Sequence, residues 1–434
     1  MKRFVILGSG FAGLEAAFAL ERAFRRSPDR EVLLVSEHNY FLFTPLLPQI
    51  PSSYINPRHI VQTVRDIRGK RNFRFIRDSA WVIDPARREV LLGSGPLSYD
   101  YLVVALGSRS DDFGIPGVRE FTFDFKSLED AVNIRERVLD LCEHADHSTD
   151  PGERARLLRF IVVGGGYTGV ELISELRDFL FRYVVGKYRG IGWTDIRLLL
   201  LEAAPEILRG VHPSLAKRAG KRLHKAGIEI RVGARVTRCS DSGVEISGNE
   251  QIPAATVVWA AGVRAHPLVE ILPGPHDRIG RASVNEHLQL AGHPEVFVAG
   301  DSSAPVSAPD APRVAPVAIQ QGALAARNIL AIEQGKPLSS YAYASQGTLV
   351  SLGMNHAVVS VFGLNFGGYF AWLVWNAIHL LKLVGLKKQV QVALDWALGS
   401  IFPRDAAPIR RPRGCALCEK ARQQAKQESR TGAD

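Results

Sequence analysis

The sequence predicts an α/β fold with two Rossmann-like dinucleotide-binding domains and a C-terminal, mainly helical segment at a membrane surface. Three observations predict it: a strand, glycine turn and helix at residues 2–26, the same unit again at 159–183, and an apolar, Trp-rich stretch at 366–402. In the first unit an apolar run ending at Leu7 meets Gly8-Ser9-Gly10-Phe11-Ala12-Gly13 and a small-residue helix from Leu14 to about Arg26. Gly8 makes the turn, Gly10 lets the backbone approach a pyrophosphate, and Gly13 lets helix and strand pack closely. The helix start adds unpaired N–H groups and positive potential for the phosphates. A second buried strand, 31–36, ends on Glu37, where this fold places the carboxylate that takes a ribose hydroxyl pair.

At 434 residues the chain should hold two or three domains, and 46% apolar with 23% charged residues is the make-up of a folded protein. The first strand runs straight into its glycine turn, so no secretory signal is expected and a reducing compartment is. The cysteines agree: Cys142 and Cys239 are isolated, and Cys415 and Cys418 share a polar tail. One CxxC lacks the second ligand pair of a zinc site, so no metal is predicted. The formal charge of +10 is concentrated near the C-terminus, at Lys387, Lys388, Arg404, Arg410, Arg411 and Arg413. Such a bias suits an anionic surface, membrane or nucleic acid. The membrane is expected here, and nucleic acid is not.

Between the two units, 38–48 is an aromatic, proline-rich loop that should lie buried against something flat. Residues 73–84, 89–92 and 100–105 read as short strands, with turns at 85–88 and 94–96. The last strand ends on Ala105 and Gly107. A crossing at 115–117 leads to an amphipathic helix, 127–145, and a polar linker, 147–153.

The second unit has its strand at 159–163, then Gly164-Gly165-Gly166-Tyr167-Thr168-Gly169, a helix from Val170 to about Tyr183, and a strand at 196–201 ending on Glu202. Glu202 follows Gly169 by 33 residues where Glu37 follows Gly13 by 24, which predicts an insertion around 186–193. An acidic Glu202 accepts a free 2′-OH and repels a 2′-phosphate, favouring NADH over NADPH. A basic helix at 215–227 and a strand at 228–232 follow. The run 257–262 mirrors 103–107 and should bring Ala261 and Gly262 to the second nucleotide. The strand 293–299 ends in Gly300-Asp301, 302–313 is rich in Ser, Ala and Pro, and a helix is expected at 323–332.

This constellation resembles the two-dinucleotide flavoproteins and, within them, the type II (non-proton-pumping) NADH:quinone oxidoreductases. The narrower resemblance rests on 43–47, on Gly169-Val170-Glu171, and on 371–375 with His379, Leu383, Gly385 and Trp396. It implies FAD on the first unit, in a domain split by the inserted NADH domain. Gly8, Gly10, Phe11, Ala12, Gly13 and Glu37 would hold its phosphates and ribose, and Ala80 its adenine. Thr44 and Pro45 would lie by the isoalloxazine, Ala105 and Gly107 at the strand end, and Gly300, Asp301 and Ala318 on the ribityl side. NADH would take Gly164, Gly166, Tyr167, Thr168, Gly169, Glu202, Ala261 and Gly262. Glu171 would face the nicotinamide, and Glu171 and Gln320 are the implied catalytic residues. One departure stands out: the family reads Ala-Gln-x-Ala-x-Gln-x-Gly beside the flavin and quinone, and here the first glutamine is Pro316.

The implied activity is FAD-dependent transfer of electrons from NADH to a membrane quinone on the cytoplasmic face, with homodimerisation left open. A redox sensor that turns over slowly and a reductase of a protein electron carrier are the alternatives. The expected domains are 1–120 and 266–335 for FAD, 121–265 for NADH, 336–403 for membrane association or dimerisation, and a basic tail, 404–434, expected to be disordered. Residues 366–385 are long enough to span a bilayer. Asn376, His379 and Lys382 recur at i+3, however, and form a polar seam, so a helix lying in the membrane plane or docked is expected rather than a crossing one. Trp372, Trp375 and Trp396 would then sit at the headgroups, with Lys387, Lys388, Arg404, Arg410 and Arg411 drawn to anionic lipid.

Overall fold

The computed structural model describes residues 1–407, and it divides into two compact units. Cys415, Cys418, Arg410, Arg411 and Arg413 lie outside the described residues.

The first unit comprises residues 1–42, 61–109 and 263–346. The apolar run forms the strand Lys2–Leu7, flanked in parallel by Arg30–Ser36 and Tyr101–Val104 at the centre of an eight-stranded sheet. Buried on both faces, such a strand reads as a continuous hydrophobic run: Phe4, Val5, Ile6 and Leu7 are each at most 1% exposed. His293–Val298 continues the sheet beyond Tyr101–Val104, also in parallel. The first helix, Phe11–Phe24, packs on the long helix Ala315–Glu333 through small residues; a Cβ added to Gly322 would strike the Ala12 backbone.

The second unit comprises residues 43–60, 110–262 and 347 onward. Its five-stranded sheet runs in the order Phe123–Asp124, Thr256–Trp259, Arg159–Val163, Arg197–Glu202, Ile228–Val232, each neighbouring pair parallel. The helix Leu128–His147 begins in a capping box: the Ser127 hydroxyl receives the Asp130 N–H while the Asp130 carboxylate receives the Ser127 N–H. An antiparallel sheet, Thr348–Ser351, Ala357–Val361 and Leu364–Gly368, then leads to two helices, Tyr369–Lys382 and Leu386–Ile401.

Several expectations are corrected. The 94–96 turn is part of a strand, Gly95–Ser98, and Pro96 is tolerated because that strand is the edge of its three-stranded sheet. The 73–84 run breaks into Arg74–Arg77 and Ala80–Asp84, where the Asp78 carboxylate accepts the Ser79 and Ser94 N–H groups. The 147–153 linker contains the start of a helix, Pro151–Leu157, capped by Asp150. The second unit's helix is Tyr167–Phe179, continued by a wider turn, Leu180–Val184. The helix expected at 323–332 starts at Ala315. Pro316 lies in its first turn, where a missing N–H costs nothing and the fixed φ suits the helix.

The largest correction concerns the C-terminal stretch. Residues 366–368 end a strand, and the helix that follows has 14 residues, about 21 Å, short of the roughly 30 Å apolar core of a bilayer. No helix among the described residues is long and apolar enough to cross a membrane. Two of the three seam residues point into the protein: Asn376 is buried and His379 stacks on Trp375 at 4.0 Å, while Lys382 stays exposed. Trp372, Trp375 and Trp396 are core residues, at most 8% exposed, rather than interfacial ones. Arg404 is buried too. The surface carries Phe370, Leu373, Leu381, Leu386, Val390, Leu394, Leu398 and Ile401, a broad apolar face along both helices.

Candidate functional site

The two glycine turns are built to one plan. Gly8 and Gly164 adopt φ of +99° and +113°, which favours glycine, and an added Cβ at either would strike a strand-end carbonyl, Ala105 O or Ala260 O. A Cβ at Gly13 or Gly169 would strike the carbonyl of Gly8 or Gly164, so both must be glycine for the helix to start so close to the strand. Gly10 and Gly166 differ. Both have extended φ, −74° and −75°, and a Cβ at either would meet nothing within 4 Å. That open space, at the start of a helix whose N-terminal end carries positive potential, has the form and polarity of a phosphate cradle. The residues present therefore fit a pyrophosphate in each unit.

Within the first unit the cradle gathers further residues. A Cβ at Gly300 would lie 3.3 Å from Ala12 Cβ and 3.5 Å from Ala318 Cβ, so Ala12, Gly300 and Ala318 converge where two helices begin. The Ser108 hydroxyl donates to Asp301 Oδ2 at 2.6 Å and fixes that carboxylate after Gly107. Buried Gln321 accepts the Gly300 N–H and the Ser303 hydroxyl, each at 2.7 Å, so it braces the Gly300 turn. Its neighbour Gln320 exchanges hydrogen bonds with the Ala344 backbone. Phe11 packs edge-on against Phe41, Glu37 is exposed, and Ala80 opens a strand of the small antiparallel sheet.

In the second unit Glu202 is tied down. Its Oε2 accepts the Gly165 N–H at 2.6 Å and its Oε1 the Ala204 N–H at 2.7 Å. Tyr167 and exposed Thr168 form the first turn of the helix, and Gly262 lies under the Phe113 ring. Thr44 and Pro45 open a short 3-10 turn that packs on the same helix, Tyr167–Phe179. That helix carries Glu171, whose buried Oε1 accepts the Ser351 N–H at 2.8 Å. Burial pushes its carboxyl up to about 8, and Glu175 one turn on adds to the shift. Solvent exclusion also drives His379 down to about 4, even though its Nδ1–H donates to the Trp375 carbonyl, so it is neutral at pH 7.

Sequence reasoning missed Ser108, Gln321 and Ser351. Gln321 had a signal, as the second residue of the Gln320-Gln321 pair. The serines had none, since each acts through one long-range bond.

The paired sheets, each with a glycine cradle, define a two-dinucleotide oxidoreductase, and residues 2–322 match the family described as pyridine nucleotide-disulphide oxidoreductase. Residues 345–405 match the NDH2 C-terminal domain. The chain is 36% identical over 414 residues to the type II NADH:quinone oxidoreductase NdhA of Mycobacterium tuberculosis, covering 91% of this chain and 86% of that protein. It is 30% identical to the type II enzyme of Staphylococcus saprophyticus, covering 89% and 96%. The chain belongs to the type II NADH:quinone oxidoreductase family. Its fold superposes on the NDH2 of Plasmodium falciparum in complex with NADH with a TM-score of 0.85 at 20% identity, over 94% of this chain and 99% of that one. A sulfide:quinone oxidoreductase from Aquifex aeolicus shares the fold at a TM-score of 0.74 and 19% identity, over 93% and 96%. Among the described residues the cysteines, Cys142 and Cys239, are buried and unpaired, with burial raising both thiols.

Proposed function

We propose that this chain oxidises NADH through FAD and delivers two electrons to a membrane quinone without pumping protons. The observation that carries this reading is the pair of phosphate cradles of one design, each followed by a strand-end glutamate. Gly8, Gly10 and Gly13 with the first helix start hold the FAD pyrophosphate, Glu37 its ribose, and Asp301, fixed by Ser108, the ribityl chain. Gly164, Gly166 and Thr168 hold the NADH pyrophosphate, and Glu202 takes the adenosine ribose. Bound FAD supplies the redox chemistry, taking a hydride from NADH and passing two electrons to the quinone.

Reducing a quinone to the quinol consumes two protons as well as two electrons, and NADH brings only one of those protons with its hydride. Glu171 is suited to supply the other. Its Oε1 accepts the Ser351 N–H, and burial keeps the carboxyl protonated at neutral pH. We place the chain on the cytoplasmic face, held by the apolar surface of its last two helices rather than by a span.

Steady-state NADH oxidation with a short-chain quinone and with ferricyanide tests this. The wild type should turn over with both acceptors. Glu171→Gln should lose turnover with the quinone and keep it with ferricyanide, which takes electrons without protons. A long-lived reduced complex in place of turnover would overturn the enzyme reading. For the membrane, Phe370→Glu with Leu394→Glu changes only exposed positions and should abolish co-sedimentation with anionic vesicles at low salt.

A further inference from the structure

The helix Tyr167–Phe179 buries three carboxyl groups along one side, Glu171, Glu175 and Asp178, each at most 9% exposed. Their spacing, i, i+4 and i+7, stacks them on one face. Like charges so placed repel, and a buried carboxylate needs a compensating cation. Asp178 has two: Arg177 Nη1 lies at 3.1 Å and Arg182 Nε at 3.5 Å, and the Met354 N–H donates at 2.6 Å. What faces Glu171 is neutral, the Ser351 N–H and the Trp375 indole, with neutral His379 stacked behind that ring.

Glu175 stands between them, and its cation comes from the far end of the described chain. Arg404 Nη1 lies 3.5 Å from Glu175 Oε2, which also accepts the Ser52 hydroxyl at 2.8 Å. The guanidinium has no solvent exposure. It lies over the Tyr54 ring at 3.9 Å and the Tyr183 ring at 4.9 Å, and Nη1 donates to Ser52 O at 3.3 Å. Its charge is thereby fixed beside Glu175. Two other segments packed on the helix, Thr44–Gln49 and Thr348–Ser351, contain no ionisable residue, and the strands beneath it, Arg159–Val163 and Arg197–Glu202, are charged only at their ends.

Two buried carboxyls one turn apart resist ionising together, so the nearer cation decides which of them carries the charge. We infer that Arg404 and Glu175 are positioning residues for the quinone reaction: Arg404 fixes a negative charge on Glu175, and that charge, one turn away, holds the proton on Glu171. The directions agree. Burial raises Glu175 to about 7 against the pull of Arg404, and raises Glu171 further, to about 8, with the help of Glu175. Glu175 therefore ionises first as pH rises, while Glu171 still keeps its proton. The inference rests on the reading of Glu171 as proton donor and deepens it.

The pH profile of NADH oxidation with a short-chain quinone, on the full-length flavoprotein, tests it through the basic limb expected near pH 8 in the wild type. Glu175→Gln removes the charge and leaves Arg404 without its anion, so its limb should fall by more than about one pH unit. Arg404→Met lets Glu175 keep its own proton, and Glu175→Gln with Arg404→Met replaces the pair by neutral groups. Both should fall by the same amount, about one pH unit. The double variant guards against misfolding, because exchanging a whole buried pair is better tolerated than removing one partner. Retention of the flavin spectrum shows that each variant is folded. Infrared titration of the protonated carboxyl should record the same displacements without turnover. A limb that is lost in Glu171→Gln yet stands at the wild-type pH in the other three variants overturns this proposal and leaves Glu171 as the donor. A wild type with no such limb overturns the reading of Glu171, and this inference with it.

Discussion

The two cradles share the contacts of their three spaced glycines and differ at the carboxylate that follows. Glu37 is exposed, whereas Glu202 is clamped by the Gly165 and Ala204 N–H groups. Repetition of the turn follows from sterics, since Gly8 and Gly164 each face a backbone carbonyl that leaves no room for a side chain. We propose that the difference at the glutamates is functional. A resident cofactor bound through many groups does not need a rigid ribose acceptor. A nucleotide that must be told from its 2′-phosphorylated relative does, because a fixed carboxylate cannot swing away from the extra charge.

Breaking the cradles gives the largest effects. Gly10→Val keeps an allowed backbone and its Cβ meets nothing within 4 Å, so the fold should survive while the side chain occupies the pyrophosphate space. The purified variant should carry less than about a tenth of the wild-type flavin absorbance, a change of more than about 1.4 kcal/mol in binding. Gly166→Val is the matched change in the second unit, and it should stay yellow while its KM for NADH rises by at least about tenfold. If both variants lose flavin, or neither does, the assignment of one nucleotide to each cradle is wrong.

Next comes Glu171→Gln. A lost general acid should lower quinone turnover by roughly 10²-fold. The wild-type rate should fall as pH rises through about 8, where Glu171 gives up its proton, and the variant should lack that limb. A pH profile shared by both proteins would remove Glu171 from proton transfer.

Smaller still is the effect at Glu202. Wild type should prefer NADH to NADPH by at least about tenfold in kcat/KM, or about 1.4 kcal/mol. Glu202→Gln should narrow the ratio through KM. Equal efficiency with both nucleotides in the wild type would show that the clamped carboxylate does not read the ribose.

The finest distinction is thermodynamic. Folded Glu171 keeps its proton up to about pH 8, while the unfolded carboxyl ionises near 4.5. Between those values the folded chain binds the extra proton, so this group's contribution to stability falls as pH rises through the window and levels off above it. Tm measured from pH 5 to 9 should decline less steeply in Glu171→Gln than in wild type. Parallel curves would show that Glu171 titrates normally in the fold.

Both glycine turns, both strand-end glutamates and the buried strands beside them were legible in the amino-acid sequence, because each depends on residues within one local unit. The turn needs glycine at fixed spacings for steric reasons that do not depend on the rest of the chain, and a strand covered on both faces must be a run of apolar residues. What only the tertiary structure decided was orientation and partnership. Periodicity placed Asn376 and His379 on one helix face but could not say which side of that helix the protein would cover. Packing of Trp375 and Trp396 turned Asn376 and His379 inward and left Lys382, Leu373, Leu381, Leu394 and Leu398 outside. Composition counted Arg404 among the surface cations, whereas burial against Tyr54 and Glu175 removed it from them. A residue's local pattern fixes its neighbours along the chain, but burial, and with it pKa and the need for a partner, is set by segments hundreds of residues away.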